Sequence, residues 1–216
     1  MRLILIRHGE TPSNVAGALD TAAPGAPLTP LGHRQAAAVA PVLTVERISA
    51  VHASPLVRTQ LTAAPLATAR GLDVVVTAGL EEIAAGGLEM RADEEAIAAY
   101  ADTVAAWIGG DLGVEMPGGP DGHAFFERYD AAVAAIAAAH ADDATVAAFS
   151  HGAAIRTFAA RHGGPADARL LNTGAVVLEG SPRAGWAVTR WSRDPLGGAH
   201  LADTAAVDPT GDPDPV

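Results

Sequence analysis

Two histidines stand where apolar runs break off: one run ends at Arg7-His8-Gly9-Glu10-Thr11, the other at Ser150-His151-Gly152. If the two runs are neighbouring strands of an open parallel sheet, both imidazoles lie in the crevice at the strands' carboxyl ends, where such sheets bind ligands. Other residues suited to an anion gather at similar breaks. Thr11-Pro12 reads as an N-cap and first helical residue, which places Asn14 in a first helical turn. Ser54-Pro55-Leu56-Val57-Arg58 repeats that pattern and lifts Arg58 one turn into its helix, above a mouth of free backbone N–H groups. Glu81 and Glu82, ahead of Gly86-Gly87-Leu88-Glu89, lie in a loop from which a carboxylate can reach over the crevice. Two arginines, two histidines, an asparagine and an acid could hold an anion and move protons around it. A lone histidine at a strand end is more often structural, and His33, His52, His123, His140, His162 and His200 are read so.

The elements that must position these residues alternate. Short apolar runs at 3–6, 50–53, 74–77, 146–149, 175–178 and 186–191 predict strands. Apolar residues at helical spacing predict helices over 31–43, 56–70, 92–108, 124–141 and 153–162. Near-continuous apolar strands separated by helices imply an α/β fold whose mostly parallel sheet is covered on both faces. Residues 109–122, rich in glycine and proline, read as a flexible loop or lid. One domain over 1–193 is expected, followed by a Pro/Asp-rich, aperiodic tail over 194–216 that is expected to be poorly ordered.

Composition narrows the function. The chain has 216 residues, is 49% hydrophobic and carries a net charge of −11, enough for one good core and a poor match to nucleic acid or an anionic membrane. Without cysteine there is neither a disulfide nor a thiolate metal site, and no run reaches membrane-spanning length. The amino terminus shows no basic stretch leading into a cleavable apolar one, so a cytoplasmic location is expected. All basic side chains other than histidine are arginine. Arg7, Arg58 and Arg156 adjoin chemically suggestive residues, whereas Arg70, Arg128 and Arg193 look like solvated charges.

The chain resembles the histidine phosphatase superfamily, in its phosphoglycerate-mutase-like branch. The resemblance rests on Arg7-His8-Gly9-Glu10-Thr11 with Asn14, Leu28-Thr29-Pro30-Leu31-Gly32, Ser54-Pro55-Leu56 with Arg58 and Thr59, Glu82 with Gly86 and Glu89, and Ser150-His151-Gly152 with Arg156. These run in order over about residues 1–192. The family likeness implies a three-layer α/β/α sandwich and a metal-independent phosphomonoesterase that needs no cofactor and works through a phosphohistidine. It further implies His8 as nucleophile, neutral at its attacking nitrogen while a backbone carbonyl holds the other. His151 would be a protonated donor, Glu82 rather than Glu81 the acid and base, and Arg7, Asn14, Arg58 and Gly152 the phosphate ligands. Arg156 is expected to support the fold. The substrate would be a small phosphorylated metabolite, and a homodimer is compatible with the sequence. A mutase needs extra basic residues that this lysine-free chain lacks, so phosphatase is preferred to mutase, and both to a non-catalytic phospho-ligand binder. Met90 stands where relatives often have glycine, and residues 19–26 depart from the family pattern.

Overall fold

A computed structural model describes residues 1–203 and 205–211. Their six strands are β1 (Arg2–Arg7), β2 (Ile48–Ala53), β3 (Val74–Val76), β4 (Thr145–Ser150), β5 (Ala175–Ser181) and β6 (Gly185–Ser192). The helices are α1 (Pro12–Ala16), α2 (Pro30–Val42), α3 (Val57–Arg70), α4 (Glu94–Ile108), α5 (Gly122–Ala139) and α6 (Gly152–Arg161). The strands form one sheet in the order β3-β2-β4-β1-β5-β6. β1, β2, β3 and β4 are parallel, and β5 runs antiparallel to both β1 and β6. The short 182–184 connection leaves room only for a hairpin between β5 and β6.

Strand alternation sorts the core into two layers. Leu3 and Leu5 of β1 join a cluster with Tyr100, Trp107, Phe125, Tyr129 and Phe158 from α4, α5 and α6. Ile4 and Ile6 point the other way, into a cluster with Val39, Ala63 and Leu66 from α2 and α3. β1 and β4 are thus buried on both faces, which explains their unbroken apolar sequence. The outcome is the expected α/β sandwich.

Local sequence starts the helices. Thr11 caps α1 and forms a capping box with Asn14, while Thr29, Asp93 and Asp121 cap α2, α4 and α5 through their side chains. Residues 109–122, largely exposed, are anchored at Met116, which is fully buried, and where the Pro117–Gly119 backbone meets Gly86. Met90 adopts φ +61°, the left-handed region that favours glycine.

Candidate active site

Register brings the two histidines together. In the β1/β4 ladder Arg7 pairs with Ser150, so His8 and His151 follow directly at adjacent carboxyl ends, with ring centroids 5.2 Å apart. His8 Nδ1 lies 2.8 Å from the carbonyl oxygen of Gly9, which fixes the proton on Nδ1 and leaves Nε2 with its lone pair. Burial, helped by Arg58 and Arg7, holds the His8 pKa well below its ordinary value. The ring is therefore a neutral base.

His151 caps α6 with its backbone, and its Nε2 lies 2.7 Å from Ser54 Oγ. The Thr59 hydroxyl donates to the Leu56 carbonyl at 2.7 Å, so it is not the donor to Ser54. One proton then joins Ser54 Oγ and His151 Nε2, carried by the hydroxyl or by the ring. Burial and the charges of Arg58, Arg128 and Arg7 depress its pKa well below the ordinary range, the direction that favours a neutral ring over the protonated one expected from the sequence.

Both arginines are buried, Arg7 at 0% and Arg58 at 3% exposure. Arg58 Nη2 donates to the Asp20 carbonyl at 2.8 Å, and Gly25 lies so close to Arg58 Nη1 that a side chain there would collide with it. Loop 20–26, which departs from the family pattern, thus roofs this guanidinium. Arg7 Nε, Arg58 Nε, Arg58 Nη1 and His151 Nδ1 are buried without a hydrogen-bond partner among the described residues. Unsatisfied buried donors are rare in folded proteins. All four belong to residues expected to hold an anion, and Gly152 at the first turn of α6 lies against one of them. A Cβ on Gly152 would lie 2.9 Å from Arg7 Nε.

The acid is distinguished by its surroundings. Glu82 is 2% exposed and accepts N–H bonds from Ile83 at 2.9 Å, Ala154 at 2.8 Å and Ala153 at 3.2 Å. It sits on the N-terminus of α6 beside His151. Burial raises its pKa, against the opposing pull of those amides and of Arg58 and Arg7. Glu81 is instead committed to Arg128 at 3.0 Å, and Glu89 ties down Thr21 and Ala22. Arg128 is no solvated charge, because it also donates to the carbonyl oxygens of Gly79 and Glu82 at 2.8 and 3.0 Å. Arg156 is buried within α6.

The tail reaches the site: Asp208 sits on Arg7, where its Oδ2 accepts from Nη1 at 2.5 Å and its Oδ1 accepts from Nη2. Asn14 Nδ2 donates to the same Oδ1 at 3.0 Å, and Arg7 Nη2 reaches Thr210 Oγ1 at 3.2 Å. A buried guanidinium needs a counter-charge, and the tail supplies it. Residues 212–216 lie outside the described residues. Sequence reasoning also passed over Thr62, whose hydroxyl accepts the Gly9 N–H at 2.9 Å, and Asn172, which donates to the His8 carbonyl at 3.2 Å. Neither carries a spacing signal. The remaining strand-end histidine, His52, is structural, 2.9 Å from His140 through their Nε2 atoms. No cluster of three or more His, Cys, Asp or Glu suited to a metal occurs among the described residues, nor is any described helix long and apolar enough to cross a membrane.

Known proteins are similar to this chain in sequence and in fold. The chain is 37% identical over 94% of its length to a PE-PGRS family protein of Mycobacterium tuberculosis, covering 38% of that protein. It is 32% identical over 55% of its length to phosphoserine phosphatase 1 of Hydrogenobacter thermophilus, covering 56% of it. The chain thus spans roughly two fifths to just over half of these curated relatives. Among solved structures, a mycobacterial glucosyl-3-phosphoglycerate phosphatase superposes with a TM-score of 0.76 at 27% identity, over 89% of this chain and 99% of that one. The α-ribazole phosphatase of Shigella flexneri gives 0.69 at 28% identity, over 92% and 98%. Residues 3–194 match the family described as the histidine phosphatase superfamily, branch 1, and the chain belongs to that family.

Proposed function

We propose that the protein is a metal-independent phosphomonoesterase that hydrolyses a small phosphorylated metabolite through a phosphohistidine on His8. The observation that carries this reading is a set of four buried nitrogens on Arg7, Arg58 and His151 without hydrogen-bond partners among the described residues, beside a His8 whose pKa is held low. The phosphatases among its relatives support the same class.

A phosphomonoester dianion repels a nucleophile, so its charge is neutralised first. Arg7 and Arg58 offer guanidinium donors matched to phosphate oxygens, Gly152 adds the positive end of α6, and His151 Nδ1–H donates to an equatorial oxygen. His8 Nε2 attacks phosphorus as the ester P–O bond breaks, and the proton of Glu82 passes to the leaving alkoxide, which departs as an alcohol. Water then attacks the phosphohistidine, giving its proton to the Glu82 carboxylate. The P–N bond breaks, phosphate leaves, and His8 and Glu82 return to their starting states. The raised pKa of Glu82 fits a group that begins as an acid near neutral pH. Asn14 joins the phosphate ligands once its amide is released from Asp208.

His8→Ala tests the assignment. Turnover of a chromogenic phosphomonoester and acid-labile, alkali-stable labelling from radiolabelled substrate are both expected to vanish, with the fold retained by circular dichroism. Label that survives in His8→Ala would overturn the nucleophile. Phosphoglycerate isomerisation outpacing phosphate release in the native enzyme would point to a mutase instead.

A further inference from the structure

We propose that residues 207–211 form a self-inhibiting strap whose Asp208 carboxylate stands in for substrate on Arg7 and Asn14 and must leave before a phosphomonoester binds. The inference rests on Arg7 being a phosphate ligand, as argued above. The strap is seated at several points. Gly17 approaches Val207 so closely that a Cβ there would lie 3.2 Å from the valine Cβ. The Leu170 N–H donates to the Gly211 carbonyl at 3.0 Å, and the Thr210 carbonyl lies over Gly152, 2.5 Å from where a Cβ would stand. Tail residues therefore cover the end of β1, α1 and the N-terminus of α6 together.

The chemistry of the seat is that of an anion site. Asp208 binds Arg7 through two parallel N–H···O contacts and takes the Asn14 amide as well, the fork geometry by which arginine holds either a carboxylate or a phosphate. Asp208 itself is held at φ +47°, a conformation that costs an L-residue free energy and persists only where contacts impose it. Arg7 Nε stays unpartnered, so the carboxylate satisfies the guanidinium in part. With the strap in place His8 is 2% exposed. A dianionic phosphate and Asp208 would also repel each other across one guanidinium. Apparent affinity for phosphate is then the intrinsic affinity lowered by the fraction of molecules with the strap open.

The test uses the full chain and inorganic phosphate as a competitive inhibitor of a chromogenic phosphomonoesterase assay. Asp208→Asn keeps the shape and removes the charge, so the inhibition constant for phosphate and the KM are expected to fall by about 10-fold as the open fraction rises. If Asp208 instead only positions Arg7, both constants rise and kcat drops, and the proposal is overturned; unchanged constants overturn it equally. Arg7→Ala separates the two levels of the argument, because phosphate inhibition that is indifferent to Arg7→Ala rejects the ligand role of Arg7 itself. A second measurement does not depend on the Asp208 variant. The chain contains no cysteine, so Ala205→Cys carries a single environment-sensitive fluorophore on the exposed approach to the strap. Phosphate should change its emission with the midpoint found for inhibition, and a signal indifferent to saturating phosphate would sink the strap.

Discussion

Glu82 owes its chemistry to where its carboxylate is held. Three backbone amides stabilise its charged form and burial opposes it, and burial dominates. Glu82→Gln is expected to slow phosphorylation by alkyl phosphates about 10²- to 10⁴-fold, the usual range for losing a general acid. With an aryl phosphate, whose phenolate leaves unaided, the pre-steady-state phosphorylation rate should fall far less. Arg58→Ala, by contrast, should impair both esters alike, since phosphate charge is the same whatever departs. Equal slowing of both esters by Glu82→Gln would remove Glu82 as the leaving-group acid. The choice between Glu81 and Glu82 could not be made from the residues alone, because they are adjacent acids in one loop. What separates them is Arg128, 47 positions away, which claims Glu81. The charge state of His151 was hidden for a similar reason: it depends on burial beside cations from three other elements.

Among the elements, α6 has the most demanding position, since its first turn meets Glu82, Arg7 and the strap at once. Gly152→Ala would set a methyl 2.9 Å from Arg7 Nε, and an ångström of misplacement in a phosphate clamp is worth about 10²-fold in rate. A fall of that size in kcat/KM with normal helix content is expected, and a wild-type kcat/KM would mean that Arg7 Nε takes no part in binding. The position of α6 was legible: an apolar run, Ser150-His151-Gly152, then helical periodicity. So was the pairing of His8 with His151, because two runs buried on both faces belong at the centre of a parallel sheet. The direction of β5 was less so, since its apolar sequence suits either orientation and only the three-residue turn before β6 forces the hairpin. The role of Asp208 left no trace at all. A carboxylate in a proline-rich, aperiodic tail has no period or spacing, and its partner lies 201 positions away.

At the scale of the whole molecule, buried neutral histidines tie stability to pH. His52 has its pKa lowered to about 4 by burial and by His140. Between that value and the ordinary 6.5 the unfolded chain binds a proton that the folded one refuses, so this contribution is complete above pH 6.5 and is lost as pH falls toward 4. His52→Gln should therefore lose less melting temperature than the native protein on acidification from pH 7 to 4.5. Parallel pH profiles for the two would show that His52 is not held neutral. The proposed closed state also bears on covalent reactivity. An imidazole-acylating reagent meets His33, His123 and His200 at the surface but finds His8 only 2% exposed. Peptide mapping after brief treatment should show those three modified while His8 is spared and activity persists. Early loss of activity with His8 modified first would mean that the nucleophile is open at rest. On the proposed strap, the idle protein would be shielded from stray electrophiles, its most reactive nitrogen exposed only while the anion that opens the site is present to consume it.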